Sequence, residues 1–293
     1  MSGLLVSTLI YGLVNSVVLM LTALGFSLTF GLSGVANFAH GALYLLAGFT
    51  TWLLIHHLHL PFPLAALASV ALVGGLGALI YRLVIMPVRG IALSEVISTF
   101  AVGVAIVELF RWKGFTTYDF SLPVIASGGI EVAGVAVDHQ RLFIVVVGLT
   151  LTLLLWAFTR HTRIGLALRG MSQDEYTALS LGIESDWAAT LSLALGSALA
   201  AVAGIVLLPL GIISINIGYD ALLAALAVTV LGGLESTAGM ICGSLVVGYA
   251  MVITGNFLGP RWGEVVYLFA IVIVLGVKPS GLLGRSKELE DRV

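Results

Sequence analysis

TRIGLALRGMSQDEYTALSLGIES, residues 162–185, is the polar interruption on which the reading of this otherwise apolar chain turns. Ser172 and Glu175 stand at the spacing of a capping box, in which each side chain satisfies a free backbone N–H of the first helical turn. Gly182 follows where a glycine in the left-handed conformation ends a helix. The spacing predicts a helix of roughly nine residues, about 14 Å long, which is too short to cross a bilayer. Tyr176, Leu179 and Leu181 offer apolar side chains among Arg163, Arg169, Asp174 and Glu175. That mixture suits a short helix lying in another protein's groove, and equally a solvated connector that caps itself.

Outward from this stretch the chain is built for lipid. Its residues are 59% hydrophobic and only 10% charged, whereas a soluble domain carries about 25% charged residues. No Lys, Arg, Asp or Glu precedes Arg82, which leaves room for several spans of about 20 residues before the first charge. Residues 1–6 lack a basic n-region, and no small-residue cleavage site follows, so they read as the start of a span rather than a secretory signal. Cys242 has no second cysteine to pair with, which excludes an internal disulfide. A net charge of −2 gives no nucleic-acid signal.

Apolar runs predict spans at about 4–31, 40–55, 64–81, 93–109, 142–158, from beyond Asp186 to 208, 241–253 and 265–277. Residues 220–231 are short for a crossing and read as a broken or half-inserted helix, preceded by a non-helical turn at SINIGY, 214–219. The expectation is an all-α integral membrane protein. It is a polytopic helical bundle of eight or nine membrane segments with broken helices, forming one transmembrane domain over 1–293. A second polar loop lies at about 112–141, where VIASGGIEVAGVAV predicts a hairpin, and a basic tail at about 279–293.

Within the spans, FGLSGVANFAHGALYLLAGF (30–49) carries glycines around Asn37 and His40, which predicts a break and a new helix near His40. LGGLESTAGMICGSLVVGYA (231–250) echoes it, a possible internal repeat of the kind that marks transport pathways. Glu95 lies within the fourth span near Thr99, and an acid there is a functional candidate; Glu108 lies close enough to the other end to reach headgroups. The candidate pathway residues are therefore Asn37, Phe38, His40, Gly41, Glu95, Thr99, Ser236, Thr237 and Gly239, with helix packing as the competing explanation for each. His56, His57 and His59 have no carboxylate or thiol beside them and read as an interfacial turn, so no metal site is assigned.

The positive-inside rule places Arg82, Arg89, Arg160, Arg163, Arg169 and the tail residues Lys278, Arg285, Lys287 and Arg292 on the cytoplasmic side. Arg111, Lys113, Arg141 and Arg261 fall on the other side, so the N-terminus is expected outside. There is no GxxxxGK[ST] phosphate loop, no HExxH and no GxSxG, which argues against ATP hydrolysis, metalloproteolysis and acyl transfer. An ion-coupled carrier would bury charges deep in several spans, and here the span centres are nearly free of them.

Arg169, Ala178, Gly182 and Ile183, together with NFAHG (37–41) and MPVRG (86–90), carry a resemblance. The chain resembles the permease subunits of branched-chain amino acid ATP-binding-cassette importers, from about Tyr11 to Gly284. The resemblance implies that residues 160–186 are a cytoplasmic coupling loop touching an ATPase through Arg169, Ser172, Glu175, Tyr176, Ala178, Leu179, Gly182 and Ile183. It also implies a second homologous permease subunit, two cytoplasmic ATP-binding subunits that hold the ATP, an extracytoplasmic solute-binding protein, and no cofactor or catalysis in this chain. The setting implied is the inner membrane, multi-pass, with a cytoplasmic C-terminus. The cargo would be a branched-chain or similar apolar amino acid; urea, short amides or aromatic acids would suit the same neutral passage. An ion-coupled secondary carrier or a stand-alone channel are the other classes, and both would work without an ATPase.

Overall fold

A computed structural model describes residues 2–113, 120–211, 214–233, 236–259, 262–278 and 280–284. The N-terminal half runs α1 (Ser2–Ser33), α2 (His40–Leu58), α3 (Phe62–Ile80), a π turn (Tyr81–Ile85), a 3-10 turn (Met86–Val88) and α4 (Ala92–Trp112). Then follow β1 (Gly129–Val132), β2 (Val135–Asp138), α5 (His139–His161), α6 (Arg163–Gln173), α7 (Glu175–Ser180) and α8 (Ser185–Leu207). A 3-10 turn (Leu208–Leu210), α9 (Ile215–Gly232), α10 (Thr237–Leu258) and α11 (Gly263–Val277) complete the order. Without water, every backbone group must be satisfied inside its own segment, and apolar runs therefore become helices. Among the described residues seven helices, α1 to α5, α8 and α10, are long and apolar enough to cross a membrane, and Asn216–Gly232 and Val265–Val277 are shorter apolar helices.

Burial separates the inner helices from the outer ones. In α8, 67% of the most apolar window is buried, against 17% in α5, so α8 is enclosed while α5 presents most of its surface outward. Small residues make that enclosure possible: Ala188, Ala189, Ser192, Gly196, Ser197, Ala200 and Ala201 let α1, α2 and α3 approach the α8 backbone closely. The other hub is α1, whose 32 residues span about 48 Å, longer than the roughly 30 Å hydrocarbon layer. Leu21, Leu24 and Phe26 of α1 are fully buried against side chains of α2, α5, α8, α9 and α10.

Hydrogen bonds fix the relative directions. Asn256 Nδ2 donates to Thr8 Oγ1 at 3.0 Å, Tyr249 donates to the Leu9 carbonyl at 3.1 Å, and α10 therefore runs antiparallel to α1. The start of α10 thus lies at the level of the C-terminal part of α1. Leu282 and Leu283 donate to the carbonyls of Leu231 and Gly232, so residues 280–284 pack on the α9–α10 turn. Leu32 of α1 packs with Leu168 and Ala178, which puts α6 and α7 at that same end. At the opposite end β1 and β2 form the hairpin expected in VIASGGIEVAGVAV, pairing Gly129 with Asp138 and Val132 with Val135. Tyr11 donates to the Ala136 carbonyl at 2.5 Å and ties the hairpin to the start of α1.

The structure departs from expectation in two places. SINIGY is not a non-helical turn: α9 begins at Ile215 and continues to Gly232, so the segment read as 220–231 is a longer helix. Gly218, which weakens local helix propensity, lies against Gly41 of α2, and the tertiary contact outweighs the local preference. The second departure is in the loop around residue 172 and is taken up below. Of the basic tail, Arg285, Lys287 and Arg292 lie outside the described residues, as do Arg261 and residues 114–119 of the 112–141 loop.

Candidate functional site

Two regions gather the candidate residues. At the end defined by α6 and α7, Thr162 caps α6 by accepting from the Gly165 N–H at 2.9 Å. Leu168 and Met171 turn inward from α6, Ala178 from α7 and Ala188 from α8, forming a small apolar cluster with Leu32, Phe158 and Ile183 around it. Ser172 does not cap a helix. It lies inside α6 and its hydroxyl donates to the Arg169 carbonyl at 3.0 Å, so the expected capping box is absent. The cap of α7 is Asp174, whose carboxylate accepts from the Thr177 N–H at 3.1 Å and from its hydroxyl; the hydroxyl first, then the N–H, hold this carboxyl below the usual carboxylate range. Two helices, of 11 and 6 residues, thus replace the single nine-residue one, because burying Leu168 and Met171 extends the chain into α6 before the Asp174 cap restarts it.

Gly182 ends α7 at φ +82°, as its spacing predicted, and a Cβ there would meet nothing within 4 Å. The coupling candidates divide by burial. Tyr176 is 85% exposed, Leu181 77% and Leu179 46%, whereas Ala178 is 3% exposed and Ile183 packs beside it. One face of α7 is therefore bound to the bundle and the other presents large apolar groups outward. Glu175 belongs to neither face: it pairs with Arg89 at 3.1 Å and accepts from the Ser185 hydroxyl at 2.6 Å. A cavity of about 320 Å³ adjoins this cluster, bounded by residues 30–34 at the end of α1 and just beyond it, Arg89, Met171 to Gln173, Glu175 and the start of α8.

The second region is the break before α2. The Asn37 side-chain oxygen accepts from the Ala39 N–H at 3.1 Å, and the Asn37 carbonyl accepts from the His40 N–H at 3.1 Å, which folds the turn that starts α2. His40 is buried, its Nε2 lies 3.0 Å from the Thr22 carbonyl, and its ring meets the Phe26 ring edge-on. Thr99, fully buried in α4, accepts from the Phe38 N–H at 3.2 Å and contacts the Ala36 carbonyl at 3.2 Å. Asn37, Phe38, His40, Gly41 and Thr99 are thus brought together. Beside them Phe38, Phe100, Val104, Tyr219 and Leu222 leave a crevice of about 10 Å³, no more than one water's space.

The remaining candidates lie elsewhere. Glu95, one turn before Thr99, accepts from the Gly90 N–H at 2.8 Å and closes the α3–α4 turn. Ser236 caps α10 by accepting from the Gly239 N–H at 2.9 Å, with Thr237 next to it and Gly239 pressed against Gly232. These three belong to the α9–α10 turn. Phe100, Tyr219 and Gly218 were not foreseen at the crevice; the only signal was the glycine of SINIGY facing the glycine of NFAHG. Thr99→Val tests the α2–α4 junction. With the hydroxyl gone, the part-buried Phe38 N–H loses its acceptor, and a destabilisation of about 1 kcal/mol is expected in thermal unfolding of the detergent-purified protein.

A family described as the permease component of branched-chain amino acid transport systems matches residues 8–275, a span that includes both regions. The chain belongs to that family. It is 30% identical to the high-affinity branched-chain amino acid transport system permease protein LivH of Escherichia coli K12, over 91% of each chain. It is 29% identical to the corresponding protein BraD of Pseudomonas aeruginosa, over 95% of each. A probable permease LivH of Methanocaldococcus jannaschii is 26% identical over 93% of this chain. Among solved structures, PsaBC from Streptococcus pneumoniae in complex with Fab matches with a TM-score of 0.51 at 17% identity, covering 93% of this chain and 92% of that one, a likeness of fold. The α6–α7 end and the α2 break of this permease are where its candidate residues concentrate.

Proposed function

We propose that this chain is the translocating subunit of an ATP-binding-cassette importer for branched-chain or similarly apolar amino acids. It works by alternating access driven by ATPases bound at α6 and α7. The observation that carries this reading is α7 itself, a capped helix of six residues packed on one side through Ala178 and exposing Tyr176 and Leu179 on the other, with Leu181 exposed just after its end. A large apolar side chain such as Tyr176 left exposed on a capped helix suits a partner's groove. The α6–α7 end is then cytoplasmic, and so is the C-terminal segment that packs at the same end. The assembly comprises a second related permease, two ATP-binding subunits that hold the nucleotide, and a solute-binding protein on the hairpin side. This chain itself carries out no catalysis and holds no cofactor. The crevice between Phe38, Phe100 and Tyr219 holds no more than one water, so an apolar cargo would pass there only in a state in which α2, α4 and α9 have parted.

The test is transport by the reconstituted complex of this chain with its ATPases and binding protein. A Cβ at Gly182 meets nothing within 4 Å and the position lies on the exposed side of the loop, so membrane insertion of Gly182→Trp should persist. The left-handed φ costs a non-glycine residue about 1–2 kcal/mol, and the indole stands where a partner would dock. ATP-dependent amino-acid uptake should fall at least tenfold, within the usual range of coupling energies. Uptake that is unchanged in this variant, or that proceeds without any ATPase on an ion gradient, would overturn the reading.

A further inference from the structure

Arg89, in the turn between α3 and α4, is where four elements meet. Its Nη1 donates to Asp186 Oδ1 of α8 at 2.6 Å and its Nη2 to Glu175 Oε1 of α7 at 3.1 Å. Nη2 also bonds the Ser185 hydroxyl, which donates to Glu175 at 2.6 Å, while Tyr81 at the end of α3 donates to Asp186 Oδ1 at 2.9 Å. The guanidinium is the least exposed of the three charges, 30% against 52% for Glu175 and 57% for Asp186.

We infer that Arg89 is a positioning residue that makes α7 move as one body with α3 and α8, an inference that rests on the reading of α7 as the ATPase contact. The covalent path from α7 to α8 passes through Gly182 and the extended residue Glu184, a joint at which α7 could pivot and leave α8 still. Arg89 bypasses that joint by holding the first residue of α7 and the first two residues of α8 on one planar fork. A guanidinium directs its donors in fixed directions toward two carboxylates, which a lysine ammonium cannot do. The Gly90 N–H bond to Glu95 braces the same turn against α4. On the other side, Leu32 of α1 packs on the Leu168–Ala178 cluster beside the 320 Å³ cavity, so that cluster is the second connection of α7 to the bundle. Force applied to Tyr176 therefore enters the bundle through Arg89 and the Leu168–Ala178 cluster.

The experiment measures solute transported per ATP hydrolysed by the whole complex in proteoliposomes, for Arg89→Gln, Arg89→Lys, Glu175→Gln and the double variant Arg89→Gln with Glu175→Gln. Arg89→Gln should lower the ratio about tenfold, a typical coupling effect, while ATP hydrolysis continues in an assembled complex. Arg89→Lys should recover part of it by reaching one carboxylate. Adding Glu175→Gln to Arg89→Gln should change little, because both act through one contact. A wild-type ratio in assembled Arg89→Gln, or losses that multiply in the double variant, would overturn the inference. Should Arg89→Gln fail to assemble, Glu175→Gln and Asp186→Asn each cut one arm of the fork; lowered ratios support the inference and unchanged ratios in both overturn it. If Gly182→Trp uncouples transport and the Arg89 series does not, only the role of Arg89 fails. If Gly182→Trp is itself silent, the α7 reading fails with it.

Discussion

Gly41→Ala should abolish uptake and lower the stability of the purified permease by about 3 kcal/mol or more, at the upper end of overpacking costs. A Cβ at this position would lie 1.9 Å from the Gly218 carbonyl oxygen, 2.8 Å from its carbon and 3.1 Å from Leu222 Cβ. The obstacle is backbone, so no side-chain rotamer relieves it, and α2 and α9 must part by about 1.5 Å to restore ordinary contact. Parting them also reshapes the crevice between Phe38, Phe100 and Tyr219. Two companions turn this into a ranking. A Cβ at Gly218 would lie 2.9 Å from the Gly41 oxygen, and one at Gly75 of α3 would meet nothing within 4 Å. Destabilisation should therefore fall in the order Gly41→Ala, Gly218→Ala, Gly75→Ala, and the last should be neutral or slightly stabilising because alanine favours helix. Thermal unfolding in detergent reads the order directly. A tolerated Gly41→Ala would mean that α2 and α9 do not cross where the structure puts them.

That contact also shows where sequence reasoning reached and where it stopped. The break at NFAHG was legible because Asn37 folds a local turn and its partners, Ala39 and His40, are adjacent in the chain. The hairpin was legible for the same reason, its turn at Ala133 and Gly134 having the positive φ values of a two-residue connection. Gly182 was legible as a helix end. What could not be read depended on distant partners. Residues 215–219 look like a turn until Gly41 packs on Gly218. Leu168 and Met171 look like scattered apolar residues among Arg163, Arg169 and two glycines until Leu32 and Ala188 cover them. Arg89 lies 86 positions from Glu175 and 97 from Asp186, and a single sequence gives no reason to connect them. Local chemistry thus located the breaks and the ends, and long-range packing decided which candidate residues meet.

The same division predicts how α7 fails. Ala178→Glu should cost at least tenfold in ATP-dependent uptake, a loss at the scale of a coupling energy, while leaving the membrane helices folded. Ala178 is 3% exposed and touches the cluster of Leu168, Met171 and Ala188. Burying an unpaired carboxylate among those side chains costs several kcal/mol. A six-residue helix has too little packing to oppose that, so α7 should leave the bundle rather than bury the charge. Residues 174–184 should then become sensitive to added protease, with the unfolding temperature of the rest nearly unchanged. Tyr176→Ala separates docking from packing. Its side chain is 85% exposed, so truncation should alter neither protease sensitivity nor unfolding, and a loss of uptake in that variant can arise only from the surface a partner touches. If Ala178→Glu frees α7 and uptake continues at the wild-type rate, α7 transmits no work and its apolar outer face needs another explanation.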